Sequence, residues 1–100
     1  MAWKVVKTRT KPSADTPYEV WGEDVISYIK TNYQDTGKWA LESRITSGDN
    51  LSITYTIIFK DEAAKNEISS DSTIAAERTR VRTIHEANNI TEEITMNEEV

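Results

Sequence analysis

Two ionisable side chains in the segment at residues 71 to 91 are candidates for chemistry in this chain. His85 is the only histidine, and since imidazole titrates near neutral pH it could bind a metal or haem iron or act as a general base. Glu77 falls on the apolar face of the helix predicted there, and burial of its carboxyl would raise its pKa because burial disfavours the charged form. Both side chains are therefore candidate catalytic residues.

Each of these candidates also has a structural explanation, which we favour. A lone histidine at the edge of an apolar stripe, with Glu86 as its nearest acid and no cysteine nearby, is more often a packing residue. Glu77 can reach past the core to Arg78, to Arg80 or to another subunit. The sequence contains no phosphate-binding loop, no carboxylate pair of recognisable spacing and no Ser/His/Asp signature, so no other chemistry competes with these two residues.

Aromatic side chains provide a second kind of candidate site. The three tryptophan and four tyrosine residues could line a pocket for an apolar ligand, because such pockets combine aromatic walls with a few polar groups. Trp3, Trp39 and Tyr55 are the candidate ligand-binding residues. Core packing is the stronger explanation for Trp21, Tyr28 and also Tyr55.

Composition limits the classes of protein to which the chain can belong. One hundred residues with 37% hydrophobic side chains, three Gly and two Pro favour one packed domain over a disordered chain. The lack of cysteine excludes disulfide frameworks, thiolate zinc sites and cysteine nucleophiles. The net charge of −5 disfavours nucleic acid as a partner, and no apolar run approaches the length of a membrane span. We therefore expect a cytoplasmic protein with no metal, no cofactor, no membrane contact and no nucleic-acid partner.

The first half of the chain predicts a strand, a helix and a hairpin. "WKVVKTR", near the start, predicts a first strand. Thr16 as N-cap, Pro17 at the first helical position and Glu19 three residues after the cap predict that a helix begins there. Gly37 is available for a left-handed conformation after that helix. Alternating apolar residues over 39–59, interrupted by the turn residues "SGDN", predict a β-hairpin whose second strand lies inside the sheet.

The second half predicts a broken helical connection and a last strand. Asp61 is a plausible cap for a short helical turn, and Asp71 or Ser72 can cap a longer second helix. His85 falls on the border between core and solvent of that helix, whose buried stripe consists of Ile74, Val81 and Ile84. "ITEEITMNEEV" predicts the final strand.

This order of elements predicts an α+β fold. Strand, helix, strand, strand, helix, strand is the order of ferredoxin-like domains, in which a four-stranded antiparallel sheet carries two helices on one face. We expect residues 1–100 to form one such domain, with the last strand beside the first and the third on the first strand's other side. Residues 1–11 are basic and residues 86–100 are acidic, so opposite charges would meet across that strand pair.

The chain resembles the dimeric α+β barrel superfamily, which includes antibiotic-biosynthesis-monooxygenase-like proteins. The resemblance is carried by the order of elements, the length, the broken connection "FKDEAAKNEISSDSTIAAERTRVRTIHEANNIT" and the "EANNIT" that leads into the last strand. It implies two ferredoxin-like subunits packed sheet to sheet. Haem-degrading members typically use a histidine on the second helix, which His85 matches, but the asparagine and tryptophan typical of the superfamily's enzymes have no counterpart in "WKVVKTR" and "KDEAAKNEISSDS".

Three functions follow from these observations. The first is a homodimeric binding or scaffold protein that holds a small, largely apolar molecule, or nothing, between its sheets. Apolar doublets such as Val5–Val6 and Ile57–Ile58 favour it, because they place an apolar side chain on both faces of the sheet. The alternatives are a cofactor-independent monooxygenase or haem-degrading enzyme that uses His85, and, with least support, an RNA-recognition-type domain that stacks bases on sheet aromatics such as Tyr55 and Phe59.

Overall fold

The computed structural model describes residues 1–100 as an α+β fold with a four-stranded antiparallel sheet and three helices. The strands are β1 (Trp3–Thr10), β2 (Trp39–Thr46), β3 (Ser52–Phe59) and β4 (Thr91–Glu99). The helices are α1 (Glu23–Ile29), which continues into a π-helical turn (Lys30–Gln34), α2 (Glu62–Ser70) and α3 (Ser72–Ala87). The strand order is β2-β3-β1-β4, and every neighbouring pair is antiparallel.

The pairing of β1 with β4 that the charge distribution predicted is confirmed. Arg9 lies opposite Glu92, and its Nε donates a hydrogen bond of 2.8 Å to the Glu92 carboxylate. Lys4 lies opposite Glu98 in the register, but its ammonium is 3.4 Å from the carboxylate of Glu42 instead. Complementary charge therefore contributes to the pairing of the first and last strands mainly through Arg9 and Glu92.

The predicted hairpin of β2 and β3 is also confirmed, and β3 lies inside the sheet between β2 and β1. Its turn is held by Asp49, whose carboxylate accepts hydrogen bonds from the Ser47 hydroxyl at 2.6 Å and from the Leu51 amide at 3.0 Å. Asn50 takes the left-handed conformation, with φ of 60°, which asparagine tolerates better than most residues. Gly37 is left-handed as predicted, with φ of 78°.

The two faces of the sheet differ in what covers them. The helices pack on one face, where the buried core cluster consists of Tyr33, Phe59, Ile68 and Ile74. Val5 and Ile57 are opposite each other and pack against this cluster. Since side chains alternate along a strand, Val6 and Ile58 point to the other face, which no element of the chain covers. The apolar doublets thus place one large side chain on each side, as expected.

The prediction that the first helix begins at Thr16 is wrong. Helix α1 begins at Glu23, and its N-cap Gly22 is extended, with φ of −62° and ψ of 144°. Glu19 does not close a capping box, because its amide donates to His85 and its carboxylate accepts from its neighbour Val20 and from Arg80. Tertiary contacts with α3 therefore hold residues 17–22 outside the helix.

The prediction of two helices needs a correction as well, because the connection between β3 and β4 contains two separate helices. Asp61 and Asp71 both serve as N-caps, as predicted: the Asp61 carboxylate accepts from the Ala64 amide and the Asp71 carboxylate from the amides of Thr73 and Ile74. Asp71 is extended, with ψ of 120°, so the chain turns there instead of continuing α2 into α3.

Candidate functional site

A cavity of about 420 Å³ lies between the sheet and the helical layer of a single chain. We call it the apolar cavity, since 12 of its 18 lining residues are hydrophobic. Trp39 and Tyr55, two of the predicted ligand-binding residues, line it together with Leu41, Ile57 and Phe59 of the sheet. The predicted ligand cavity lay between the sheets of two subunits, whereas this cavity is on the helix-covered face of one chain.

Exposed apolar side chains gather around this cavity. Val20, Ile26 and Leu41 line it, yet they are 72%, 53% and 44% exposed. They come from three separate parts of the chain, namely the extended segment before α1, helix α1 and the edge strand β2. Contiguous exposed apolar surface of this kind usually marks a place where a soluble protein binds something.

Two arginines border the cavity through contacts with Tyr55. The guanidinium carbon of Arg9 is 5.3 Å from the centre of the Tyr55 ring, and that of Arg44 is 5.8 Å from it. Both distances fall within the range of cation–π attraction. The ring of Tyr55 thus contacts two cations while it contributes to the cavity wall.

A second cavity, of about 410 Å³, lies between α3 and the strands β1 and β4. We call it the basic cleft, because four cationic side chains line it against two carboxylates; the charged residues are Lys7, Arg9, Arg78, Arg82, Glu86 and Glu92. Lys7, Arg9, Arg78 and Trp21 line both cavities. The basic cleft and the apolar cavity are therefore contiguous.

Two cations of the basic cleft, Lys7 and Arg78, are in an environment that disfavours their charged forms. Burial lowers the pKa of the Lys7 ammonium, the charge of Glu92 opposes that shift, and the neighbouring guanidinium groups add to it. Burial and the charge of Arg82 lower the pKa of Arg78. Burial raises the pKa of Glu92, but the hydrogen bond from Arg9 and the surrounding cations outweigh it and hold that pKa below its usual range.

His85 is buried, with 5% of its surface exposed, and does not lie at the border with solvent as predicted. The extended segment 17–22 covers it: the Glu19 amide donates a 2.9 Å hydrogen bond to Nε2, and the Tyr18 ring packs edge-on at 5.9 Å between centroids. Burial and the charge of Arg9 lower the pKa of the imidazole. His85 lines the basic cleft, but the Nε2 lone pair that iron would need is used by Glu19, and its catalytic role stays a prediction.

Glu77 is buried among partners that favour its charged form, so the expectation of a raised pKa is wrong. Its carboxylate accepts hydrogen bonds from Arg80 Nε, at 2.6 Å, and from the Gly22 amide. These two hydrogen bonds lower the pKa of Glu77 from 4.5 to about 2. The alternative that we favoured, in which Glu77 reaches Arg80, is confirmed. Glu77 thus holds the start of α1 against α3.

Trp3 lies outside both cavities, unlike the other two predicted ligand-binding residues. Its indole Nε1 donates to Asn97 Oδ1 at 2.6 Å, and the Lys65 ammonium is 4.6 Å from the centre of its ring. Its ring packs against the buried core cluster. The structure therefore assigns Trp3 to packing between the sheet and α2.

Sequence reasoning missed the cations of the basic cleft. Lys7 and Arg9 are two residues apart on β1, and Arg78 and Arg82 are four apart on α3, so each pair shares one face of its element. That spacing was visible in the sequence. The sequence did not show that this face of α3 packs over this part of β1.

Comparison with known proteins adds no family to this geometry. The chain matches no family model, no curated protein and no solved structure. Within the structure, no cluster of three or more His, Asp or Glu side chains has the arrangement of a metal site. None of the three helices combines the length and the apolar character that crossing a bilayer requires. The two cavities are therefore the features of the structure that indicate a function.

Proposed function

We propose that this protein binds a small, largely apolar molecule in the apolar cavity. The observation that carries the proposal is the coincidence of a 420 Å³ concave space with the exposed side chains of Val20, Ile26 and Leu41. Ligand pockets are commonly 300–1,000 Å³ in volume and combine apolar and aromatic walls with a few polar groups. Here Trp39 and Tyr55 supply the aromatic walls, and Arg9 and Arg44 are among the polar groups.

A charge placed at the mouth of the cavity tests this proposal. We expect Leu41→Asp to weaken binding of the uncharged dye Nile red by at least about tenfold, because the carboxylate would lose hydration when the dye enters. Ile45→Asp is the matched control, since Ile45 is another exposed aliphatic residue of the same edge strand and lies opposite Thr54, on the other face. Fluorescence titration of the wild type and both variants measures the effect.

The outcomes distinguish dye binding in the apolar cavity from nonspecific dye binding to other exposed apolar side chains. Saturable uptake of one dye per chain, lost in Leu41→Asp and kept in Ile45→Asp, supports the proposal. No saturable uptake by the wild type, or an equal loss in both variants, overturns it. Circular dichroism spectra and unfolding midpoints of the two variants, compared with those of the wild type, show that both variants fold.

A second proposal concerns the sheet face that no element of the chain covers. We propose that the chain has the ferredoxin-like arrangement and forms a homodimer through this face, as the dimeric α+β barrel resemblance implies. The observation in its favour is that four large apolar side chains lie on that face, namely those of Val6, Ile58, Ile45 and Met96, and that Val6 and Met96 are opposite each other. Fully burying a large apolar side chain stabilises a protein by about 1.5–3 kcal/mol relative to leaving that side chain in water. A contact between two such faces would therefore be favourable.

Ile58→Glu tests the dimer. Ile58 lies between Lys4 and Ala40 on the inner strand β3 of the uncovered face, so a carboxylate there should break a sheet-to-sheet contact. Light scattering should give twice the chain mass of 11.4 kDa for the wild type and the single-chain mass for the variant. Ile26→Glu, on the helical layer, should keep the dimer. A wild type that stays at 11.4 kDa at micromolar concentration contradicts this proposal.

A further inference from the structure

We infer that the molecule bound by this protein is an amphipathic anion, with its apolar part in the apolar cavity and an anionic head group in the basic cleft. The head group is a carboxylate or a phosphate, which guanidinium and ammonium groups recognise with the same charge-assisted hydrogen bonds. This inference rests on the proposed binding function and adds the chemical class of the ligand.

The first support comes from cations that have no partner within the chain. Neither Lys7 nor Arg78 nor Arg82 makes an ion pair or a side-chain hydrogen bond, although other cations of the protein do. Arg80, on the same helix, is bound to Glu77 and Glu19. Arg44, Lys60 and Lys65 also lack an ion pair, but they come from separate parts of the chain, whereas the basic cleft brings three unpaired cations together in one cavity.

The second support is the sign of the charge. The whole chain carries a net charge of −5, yet the basic cleft collects four cations against Glu86 and Glu92. Glu92 is already bound to Arg9 at 2.8 Å. Grouping partly buried like charges destabilises a fold, since each lowers the others' preference for the charged state. An anion in the cleft would remove that repulsion and would be attracted by the concentrated field.

The third support is the continuity of the two spaces. Lys7 and Arg78 line both, so a head group beside them leaves the rest of the molecule at the apolar wall formed by Tyr55 and Ile57. Lys7 lies directly opposite Tyr55 in the β1–β3 register, and Val5 opposite Ile57. The change from charged to apolar lining therefore occurs along two neighbouring strands of one sheet face, which matches a ligand with one charged end.

Three twelve-carbon probes test the inference by isothermal titration calorimetry: dodecanoate and dodecyl phosphate, each below its micelle concentration, and uncharged dodecanol below its solubility limit. The wild type should bind at least one of the two anions about tenfold or more tightly than dodecanol. Arg78→Gln and Arg82→Gln combined should remove that preference and leave dodecanol affinity within about twofold. Lys30→Gln is the control for loss of a cation elsewhere on the protein, because Lys30 is exposed and paired with Asp35 away from both cavities.

The outcomes distinguish failure of the anionic head group from failure of apolar binding. Equal affinity of the wild type for the anions and dodecanol overturns the anionic head group and keeps the apolar binding function. No binding of any probe overturns both. An anion preference that survives in the double variant, or that is lost to the same extent in Lys30→Gln, shows that the basic cleft is not the head-group site. The comparison of dodecanoate with dodecyl phosphate identifies which head group the cleft prefers.

Discussion

Asp71→Ala should lower the free energy of unfolding by about 3 kcal/mol, because one carboxylate serves three elements. One oxygen, Oδ1, accepts from the Thr73 and Ile74 amides and caps α3. The other, Oδ2, accepts from the hydroxyls of Tyr28, at 2.6 Å, and of Tyr33. Alanine would remove the cap, worth about 1 kcal/mol, and would leave two partly buried phenols without their acceptor.

Asp61→Ala is the matched control for this variant. Asp61 is also an N-cap, and its carboxylate accepts from the Ala64 amide at 2.8 Å, but no tyrosine binds it. Urea unfolding followed by circular dichroism should give a loss of about 1 kcal/mol for Asp61→Ala. Equal losses in the two variants would show that the tyrosine contacts add nothing. In the Asp71→Ala background, replacing both tyrosines (Tyr28→Phe with Tyr33→Phe) removes the hydroxyls that lost their acceptor. This should recover most of the difference in stability between Asp71→Ala and Asp61→Ala.

The role of Asp71 shows what the sequence could and could not predict. Its position before an apolar-periodic run identified it as a cap, since capping depends on residues only two or three positions away. Its contacts with Tyr28 and Tyr33 were not predictable, because they depend on the π-helical turn after α1. A hydrogen bond from the Asp35 amide to the Lys30 carbonyl defines that turn, and spacing of this kind brings side chains five residues apart toward one side.

The same difference between local and distant contacts applies to the fold and to the candidate site. Strand alternation and turn residues located β2 and β3, because both signals are local. The helix predicted at Thr16 failed because contacts of Glu19 with His85 and Arg80, more than 60 residues away, outweighed a local cap. The candidate site depended on such distant contacts throughout. Residue type alone suggested that Trp39 and Tyr55 bind a ligand. The face of the sheet on which their cavity lies depended on where the helices pack.

Glu77 leads to a prediction about acid stability. Its pKa is about 2 in the folded chain and 4.5 ordinarily, so folding favours the ionised carboxylate. The stabilisation is therefore complete above pH 4.5, declines as the pH falls below that value, and is lost once the folded protein takes up the proton near pH 2. Its cause is the hydrogen bond from Arg80, assisted by the Gly22 amide.

Glu77→Gln should reveal this contribution as a difference that depends on pH. The amide is similar in shape but cannot gain from Arg80 as a carboxylate does, so the variant should unfold at lower urea than the wild type at pH 7. The two midpoints should converge between pH 4.5 and pH 2, where the wild-type carboxylate becomes protonated. Glu67→Gln, which breaks only the exposed pair with Lys38, should cost less than about 1 kcal/mol at pH 7. A difference between Glu77→Gln and the wild type that stays constant from pH 6 to pH 2 would mean that Glu77 contributes through packing, and that its charge does not hold α1 against α3.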